Sequence, residues 1–203
     1  MIRTLFFATT CVLTLGACQS TSKKLPIIGE REVVQGDTIY PTIPSFQFLN
    51  QDSVMLSDKF FDNKIYVANF FFTHCPSICP TMQRNLLKAY LKYKNDDRVA
   101  FLSHSIDFKY DQPYVLKSYA TKLGVDNDQW QFVTGSKADI YGLSDKYLVY
   151  TKEDASVPGG YDHSGYLVLI DHDKRIRGAY DGTNEEEVQK LLTDMDILLQ
   201  EYK

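Results

Sequence analysis

The order of hydrophobic and polar residues predicts strands that alternate with helices. Residues 64–72 (KIYVANFFF) form a nearly continuous apolar run, which is typical of a strand buried on both faces. After this run, apolar side chains recur at helical spacing in Met82, Leu86, Tyr90 and Tyr93. This change from strand to helix favours a fold in which helices pack on a central sheet.

The rest of the chain continues the same alternation. In chain order we expect a hairpin from residues 45–49 and 53–56, a strand at 99–106, a helix from 111 to 124, a strand at 130–133, a helix at 137–145, strands at 146–152, 163–171 and 175–180, and a final helix. Asp111 should cap the second helix and Gly124 should end it. Thr183 should cap the last helix, with Glu186 in the capping-box position. Residues 26–44 contain glycine and proline breakers and should be irregular. The pattern therefore predicts one α/β domain with a mixed central sheet, flanking helices and a hairpin extension at its start.

The first residues have the pattern of an export signal. Residues 1–17 carry one basic side chain, an apolar run and then small residues, and this run is too short to span a bilayer comfortably. They lead into Leu-Gly-Ala-Cys18, which resembles the bacterial lipoprotein cleavage box. We therefore expect Cys18 to carry lipid, residues 18–42 to form a tether and leading segment, and residues 43–203 to form the domain. The domain would lie outside the cytoplasm, in the periplasm, held at a membrane by its lipid.

Composition narrows the function classes. The 203 residues are 44% hydrophobic and 13% aromatic, which supplies a core and excludes a disordered or fibrous protein. A formal net charge of −4 argues against nucleic-acid binding. Four cysteines are too few for a disulfide scaffold. Cys11 would leave with the signal and Cys18 would be blocked by lipid, so Cys75 and Cys79 remain as free thiols.

Cys75 and Cys79 stand where the buried strand gives way to a helix. If the segment is helical, residues four apart share a face with Cα atoms about 6 Å apart. That separation allows a disulfide, and it also allows two thiolates to bind one metal ion. A helix amino terminus lowers thiol pKa values, so thiolates should be accessible. The pair is thus either a redox couple or part of a metal site.

Two thiolates need a further ligand, and the four histidines are the candidates. His163 lies in a glycine-bracketed loop before an apolar strand, a favoured place for a ligand, although on spacing alone it could equally be an ordinary loop residue. Asp162 beside it could accept a hydrogen bond or contribute weakly to the metal. The other histidines have less suitable positions: His74 should point away from the neighbouring cysteine, His104 should be a satisfied core residue, and His172 should be a solvated turn residue. A Cys₂His set suits copper, whereas structural zinc normally takes four protein ligands.

Several segments together carry a family resemblance. Residues 70–80 (FFFTHCPSICP), 105–107 (SID), 111–113 (DQP) and 162–164 (DHS) resemble the Sco/SenC proteins, which are membrane-tethered, thioredoxin-fold copper proteins associated with cytochrome c oxidase assembly. The resemblance covers roughly residues 43–201. It implies a thioredoxin-like fold and one copper ion, Cu(I) or Cu(II), with the ligands Cys75, Cys79 and His163. The chain departs from the family pattern at Ser77, often acidic in the family, and at residues 108–110 (FKY), often Pro-Glu-Arg.

Two functions follow from this resemblance and from the cysteine pair. The first is a copper carrier, not a true enzyme, that delivers its ion to an acceptor protein, expected to be a cytochrome c oxidase subunit with a copper A site. The alternative is an extracytoplasmic thiol–disulfide oxidoreductase in which Cys75 and Cys79 cycle between dithiol and disulfide, with Cys75 attacking. A third hypothesis is a peroxide-reducing protein, suggested by Thr73 two residues before Cys75. This function leaves His163 without a role. The involvement of His163 therefore separates these hypotheses.

Overall fold

A computed structural model describes residues 24–202. The strands are β1 (Glu32–Val34), β2 (Asp37–Ile39), β3 (Gln47–Asn50), β4 (Met55–Ser57), β5 (Ile65–Phe71), β6 (Val99–Ser105), β7 (Trp130–Thr134), β8 (Thr151–Glu153), β9 (Tyr161–His163), β10 (Tyr166–Ile170) and β11 (Ile176–Asp181). The helices are α1 (Cys79–Lys92), α2 (Pro113–Leu123), α3 (Lys137–Lys146) and α4 (Glu185–Glu201), and a short 3-10 helix covers Asp58–Phe61. Within these residues no helix is long and apolar enough to cross a bilayer. The predicted signal peptide and Cys18 lie outside the described residues.

Seven strands form the central sheet, in the order β11-β10-β5-β6-β7-β3-β4. The inner strands β5, β6 and β7 are parallel, and every other pairing is antiparallel. Every residue of β5 and β6 is buried, which explains the continuous apolar run of the sequence. The predicted mixed sheet with flanking helices is confirmed.

Helices cover both faces of this sheet. On one face Tyr90 of α1 packs edge-on against Phe101, with ring centroids 6.0 Å apart. On the other face Tyr147, directly after α3, packs against Phe70 at 5.7 Å. The predicted apolar stripe of α1 faces the first of these layers, because Met82, like Tyr90, is fully buried. Burial on both faces fixes β5 firmly, and its carboxyl end leads directly to the two cysteines.

The two hairpins near the start differ from expectation. The hairpin predicted as an extension is β3–β4, and it forms an edge of the central sheet because β3 pairs with β7. Asn50 makes its turn, since its side-chain oxygen accepts hydrogen bonds from the backbone of Asp52 and Val54. A second hairpin, β1–β2, lies in the segment expected to be irregular. Gln35 and Gly36 both have positive φ there, which is the turn geometry that two-residue hairpins require.

Two predicted helix caps are wrong, each for its own physical reason. Gln112 occupies the N-cap position of α2, while Asp111 is fully buried and accepts hydrogen bonds from other segments. Asn184 caps α4 by accepting from the backbone N–H groups of its first turn, whereas Thr183 donates to Asp181. Asp111 is thus engaged by other segments, and Gln112 makes no capping hydrogen bond with its side chain, whereas at α4 the Asn184 oxygen reaches two backbone N–H groups. The predicted end at Gly124 is confirmed by its left-handed φ of 92°.

The region around His163 is also organised differently. Helix α3 runs to Lys146, so the strand predicted at 146–152 is replaced by the short strand β8. The strand predicted at 163–171 is divided: β10 begins at Tyr166, and His163 ends β9, which pairs with β8 in a separate two-stranded sheet. His163 therefore lies on a strand, not in an open loop, and Thr151 is its partner in the register.

Candidate metal centre

The two cysteines flank the start of α1. Cys79 is the first residue of this helix, whereas Cys75 lies in the preceding turn and is not helical. The backbone N–H of Cys75 donates to the carbonyl of Phe72, just beyond the end of β5, at 3.3 Å. Pro80 follows at the first turn of the helix, where its missing N–H costs no hydrogen bond. Both sulfur atoms thus lie at a helix amino terminus, as the sequence predicted.

The structure brings His163 to these cysteines. One ligand atom from each of Cys75, Cys79 and His163 lies within 4.8 Å of the other two. Cys79 Sγ lies 3.2 Å from His163 Nε2. Both cysteines are free thiols, and all three side chains are buried. Among residues 24–202 this is the one group of three or more such donors that could hold a metal ion.

A backbone carbonyl orients the imidazole. His163 Nδ1 lies 3.3 Å from the carbonyl oxygen of Ser164, which can accept a hydrogen bond from an Nδ1–H group. That tautomer leaves the lone pair of Nε2 directed at the sulfur atoms, as a metal ligand requires. Asp162 is exposed and pairs in register with Lys152. The group beside Nδ1 is therefore the Ser164 carbonyl, and not the Asp162 carboxylate that the sequence suggested as a hydrogen-bond acceptor.

The electrostatics of the site make the two thiols unequal. The pKa of the Cys75 thiol is lowered to about 3, chiefly because the Cys79 thiol hydrogen-bonds to it. Ser77 and the backbone N–H of Cys79 lower it further, against the cost of burial. The pKa of Cys79 is raised by its hydrogen bond with Cys75 and by burial. The reduced site thus holds a thiolate at Cys75 beside a neutral thiol at Cys79.

The remaining histidines lie outside this group of donors. His74 points away from the sulfur atoms as predicted, with its Nε2 3.3 Å from a carboxylate oxygen of Asp107. His104 is fully buried and its ring stacks on Phe70 at 4.6 Å. Its Nδ1 lies 3.3 Å from the carbonyl of Asn69, but its Nε2 has no hydrogen-bond partner within the described residues. The prediction of a satisfied core histidine is therefore only half right.

His172 is less solvated than predicted. Its ring centroid lies 3.6 Å from that of Tyr202, and its side chain is 31% exposed. Packing on this aromatic ring covers part of the imidazole. Like His74 and His104, it is not part of the group of potential metal ligands.

Sequence reasoning missed a set of buried polar contacts beside the cysteines. The Asp111 carboxylate accepts hydrogen bonds from the backbone and hydroxyl groups of Thr73 and from the Ser105 hydroxyl. Burial raises the pKa of Asp111, against these hydrogen bonds. Asp107 accepts a hydrogen bond from the Tyr161 hydroxyl at 3.0 Å. The available signal was the position of both aspartates after the carboxyl end of a parallel strand, where functional groups concentrate.

The donors themselves indicate the metal. Thiolates are soft ligands that select Cu(I), and imidazole also suits copper. The three residues are therefore a set that can hold a single copper ion. A structural zinc site would normally add a fourth protein ligand.

Comparison with known proteins agrees with this site. A sequence profile described as SCO1/SenC matches residues 35–198. The chain belongs to the SCO1/SenC family. As a SCO1/SenC protein it is similar to a family lipoprotein from Bacillus anthracis, at 29% identity and a TM-score of 0.72, over 79% of this chain and 96% of that one. The resemblance inferred from the cysteine and histidine segments is thereby confirmed.

Two further solved structures are similar to this SCO1/SenC chain. BsSco, described as having a disulfide switch and as a member of the Sco family of cytochrome c oxidase assembly proteins, is 26% identical with a TM-score of 0.63, over 77% of this chain and 94% of that one. ScoI from Bradyrhizobium japonicum, solved with copper bound, is 24% identical with a TM-score of 0.61, over 77% of this chain and 99% of that one. The likeness to ScoI shows a shared fold. The expected thioredoxin-like fold of the family is confirmed.

Proposed function

We propose that this protein is a copper carrier that holds one copper ion through Cys75, Cys79 and His163 and delivers it to a respiratory oxidase. The observation that carries the proposal is the approach of His163 Nε2 to Cys79 Sγ at 3.2 Å. A simple dithiol exchange needs no imidazole from a distant strand, whereas a three-ligand copper site does. The copper bound to ScoI from Bradyrhizobium japonicum and the oxidase-assembly role given for BsSco support the proposal.

The three ligands would have different roles in binding and releasing copper. The two sulfur atoms would hold Cu(I), and the imidazole would help to hold Cu(II). Cys75 is 7% exposed and Cys79 1%, so an incoming thiolate of an acceptor would reach Cys75 first. Release would then proceed by exchange of one ligand at a time for the acceptor's thiolates. The acceptor we propose is an oxidase subunit with a copper A site.

We further propose that the protein works outside the cytoplasm, anchored in the periplasm by lipid on Cys18. The description of the similar Bacillus anthracis protein as a lipoprotein supports this location. Radiolabelled palmitate should be incorporated into the wild-type chain when it is expressed in a bacterium that processes lipoproteins. It should not be incorporated into a Cys18→Ser variant, and equal labelling of both would exclude this anchor.

The alternative function is a thiol–disulfide oxidoreductase. The lowered pKa of Cys75 beside the raised pKa of Cys79 supports it. The Cys75 thiolate would attack a partner disulfide, forming a mixed disulfide and releasing one partner thiolate. Cys79, after losing its proton, would attack the Cys75 sulfur, closing the Cys75–Cys79 disulfide and releasing the second partner thiolate. Two electrons pass from the protein to its partner in this sequence. His163 has no necessary part in it.

Transfer experiments separate the two functions. The copper-loaded protein should pass its ion to a reduced domain with an empty binuclear copper site, as seen by the absorption of the filled site. The metal-free reduced protein, mixed with the same domain in its disulfide form, tests thiol exchange. Copper transfer without rapid exchange supports the carrier. Rapid exchange by the metal-free protein, with no copper transfer, would overturn it in favour of the oxidoreductase.

A further inference from the structure

His163 is carried by a small hairpin in which the first strand, β8, contacts α3 through Thr151 and Glu153, whereas β9, which carries His163, is held by other contacts. We call residues 151–163, which contain β8, the connecting turn and β9, the His163 hairpin. Its ladder consists of three residue pairs, Thr151 with His163, Lys152 with Asp162, and Glu153 with Tyr161. A two-stranded sheet of this size is marginal in water without packing against another element. What holds the hairpin in place therefore decides where the imidazole lies.

Tyr161 makes the shorter of two polar contacts between the hairpin and the loop after β6, the other being the more exposed ion pair of Glu153 with Lys109 at 3.8 Å. Its hydroxyl donates to the Asp107 carboxylate at 3.0 Å, between residues 54 positions apart in the sequence. Its ring lies 5.2 Å from that of Phe72, three residues before Cys75. Tyr161 and His163 are two apart on one strand, so both side chains point to the same face of the hairpin. Fixing the Tyr161 side chain therefore also fixes the face that presents the imidazole.

Asp107 is a rigid acceptor for this hydrogen bond. It is 4% exposed, and the oxygen that accepts from Tyr161 also accepts from the backbone N–H groups of Lys109 and Tyr110. Its other oxygen lies 3.3 Å from His74 Nε2. These contacts hold the carboxylate in the loop after β6, independently of the hairpin. Tyr161 is thus tied to the central sheet and not merely to its own strand.

We propose that Tyr161 is a positioning residue for the copper ligand His163. Its hydrogen bond to Asp107 holds the His163 hairpin against the cysteine loop, so that Nε2 stays within reach of the two sulfur atoms before copper arrives. A preformed site binds more tightly because less ordering is needed on binding. This inference rests on copper binding at the site and is independent of which acceptor receives the ion.

Replacement of the hydroxyl alone tests the proposal. Tyr161→Phe keeps the ring that packs on Phe72 and removes only the donor to Asp107, so it should fold. Tyr166→Phe is the matched control, because Tyr166 lies three residues beyond His163 and is 42% exposed. Copper dissociation and amide exchange should be measured on the purified full-length protein and on both variants.

The copper measurement reports the position of the imidazole. For Tyr161→Phe we expect Cu(II) to dissociate to a chelator about 10-fold faster than from wild type, as for other residues that orient metal ligands. The Cu(II) electron paramagnetic resonance spectrum should also shift, because the nitrogen ligand is held less firmly. Tyr166→Phe should match wild type in both. Cu(I) affinity, which depends mainly on the thiolates, should change much less.

The metal-free protein gives a second readout that does not depend on copper. Amide hydrogen exchange in residues 151–163 should be about 10-fold faster in Tyr161→Phe than in Tyr166→Phe, with exchange in β5 and β6 unchanged. If Tyr161→Phe matches Tyr166→Phe in exchange, Cu(II) release and spectrum, the proposal is wrong and Tyr161 only fills space. If the wild-type protein binds no Cu(II), the proposed function fails, while the exchange experiment still decides whether Tyr161 holds the hairpin.

Discussion

Cys79 Sγ lies 3.2 Å from His163 Nε2, although the two residues are 84 positions apart in the sequence. The first begins helix α1 and the second ends strand β9, so two separate elements must be placed correctly for the contact to form. The contact is buried, with His163 7% exposed and Cys79 1%. Replacement of His163 can therefore separate copper binding from thiol chemistry.

The first prediction concerns loss of this imidazole. His163→Ala removes the nitrogen ligand but leaves both sulfur atoms, so we expect Cu(II) affinity to fall at least 100-fold. The Cys75–Cys79 disulfide should still form on mild oxidation, because its atoms are untouched. Cu(II) titration followed by absorption, together with thiol counting, measures both. The matched control is His172→Ala, which removes a histidine outside the site.

A specific result would contradict this prediction. If His163→Ala binds Cu(II) with the stoichiometry and spectrum of the control, the three-ligand site is wrong. The pair of cysteines would then act without the imidazole, and the oxidoreductase alternative would gain support.

The second prediction concerns the reactivity of Cys75. Because its pKa is lowered to about 3, Cys75 should remain a thiolate across the range in which ordinary thiols become protonated. The rate of Cys75 alkylation by iodoacetamide in the reduced, metal-free protein should therefore be nearly constant from pH 8 to pH 5. An ordinary thiol would slow about tenfold for each pH unit below its pKa. Mass spectrometry of the alkylated peptide measures the rate at each cysteine.

A variant identifies the cause of this reactivity. The hydrogen bond from Cys79 contributes most to the lowered pKa of Cys75, so Cys79→Ala should move the alkylation profile to higher pH. Ser77→Ala removes the weaker contact, at 3.5 Å, and should move it less. A flat profile in Cys79→Ala would show that this thiol is not what stabilises the thiolate.

Much of the fold could be predicted because its strongest signals are local. The apolar run of β5 and the stripe of α1 are sustained over several residues, and burial on both faces explains them. The cysteines could be placed because they lie at the junction of these two elements. The short strands β1, β2, β8 and β9 have three residues each and carry no comparable pattern. Their pairing depends on turns and on contacts made after the chain has folded.

The candidate site could also be predicted only in part from the sequence. His163 could be proposed as a ligand from its residue type, its glycine-rich surroundings and the family resemblance, but its place on a strand could not. The hydrogen bond between Tyr161 and Asp107 joins residues 54 positions apart and has no local signature. Asp162, adjacent to His163 in sequence, was the obvious neighbour, yet alternation along the strand directs successive side chains to opposite faces.

The third prediction concerns the close approach of the His163 hairpin to the cysteine loop. Gly159 has a φ of +87°, and a Cβ atom there would lie 2.8 Å from Phe72 Cζ and 3.0 Å from Pro76 Cδ. Gly159→Ala should therefore push the hairpin away from the sulfur atoms and weaken Cu(II) binding at least 10-fold. Competition with a chelator of known affinity measures the loss.

The neighbouring glycine supplies the control. Gly160 has a similar φ of +78°, but a Cβ atom there would meet nothing within 4 Å. Gly160→Ala therefore carries the backbone strain, about 1–2 kcal/mol, without the collision. Equal copper affinity in the two variants would mean that strain alone, and not contact with Phe72 and Pro76, controls the hairpin.

The last prediction concerns His104 and the acid stability of the fold. Complete burial lowers the pKa of His104 to about 3, from an ordinary value of 6.5. Below pH 6.5 the unfolded chain therefore takes up a proton that the folded protein does not. The contribution of His104 to the free energy of unfolding should therefore fall by about 1.4 kcal/mol per pH unit as the pH drops from 6.5 towards 3. Urea unfolding at a series of pH values measures the slope.

His104→Phe isolates this contribution. The ring stacks on Phe70 and lies edge-on to Phe48, and its Nε2 has no partner within the described residues, so an aromatic hydrocarbon fits the same place. At pH 8 the histidine is neutral in both states, so a difference between variant and wild type there measures packing and the lost contact with Asn69. Below pH 6.5 the variant should lose stability less steeply than wild type. An unchanged slope would mean that the folded protein takes up the proton at His104 as readily as the unfolded chain does.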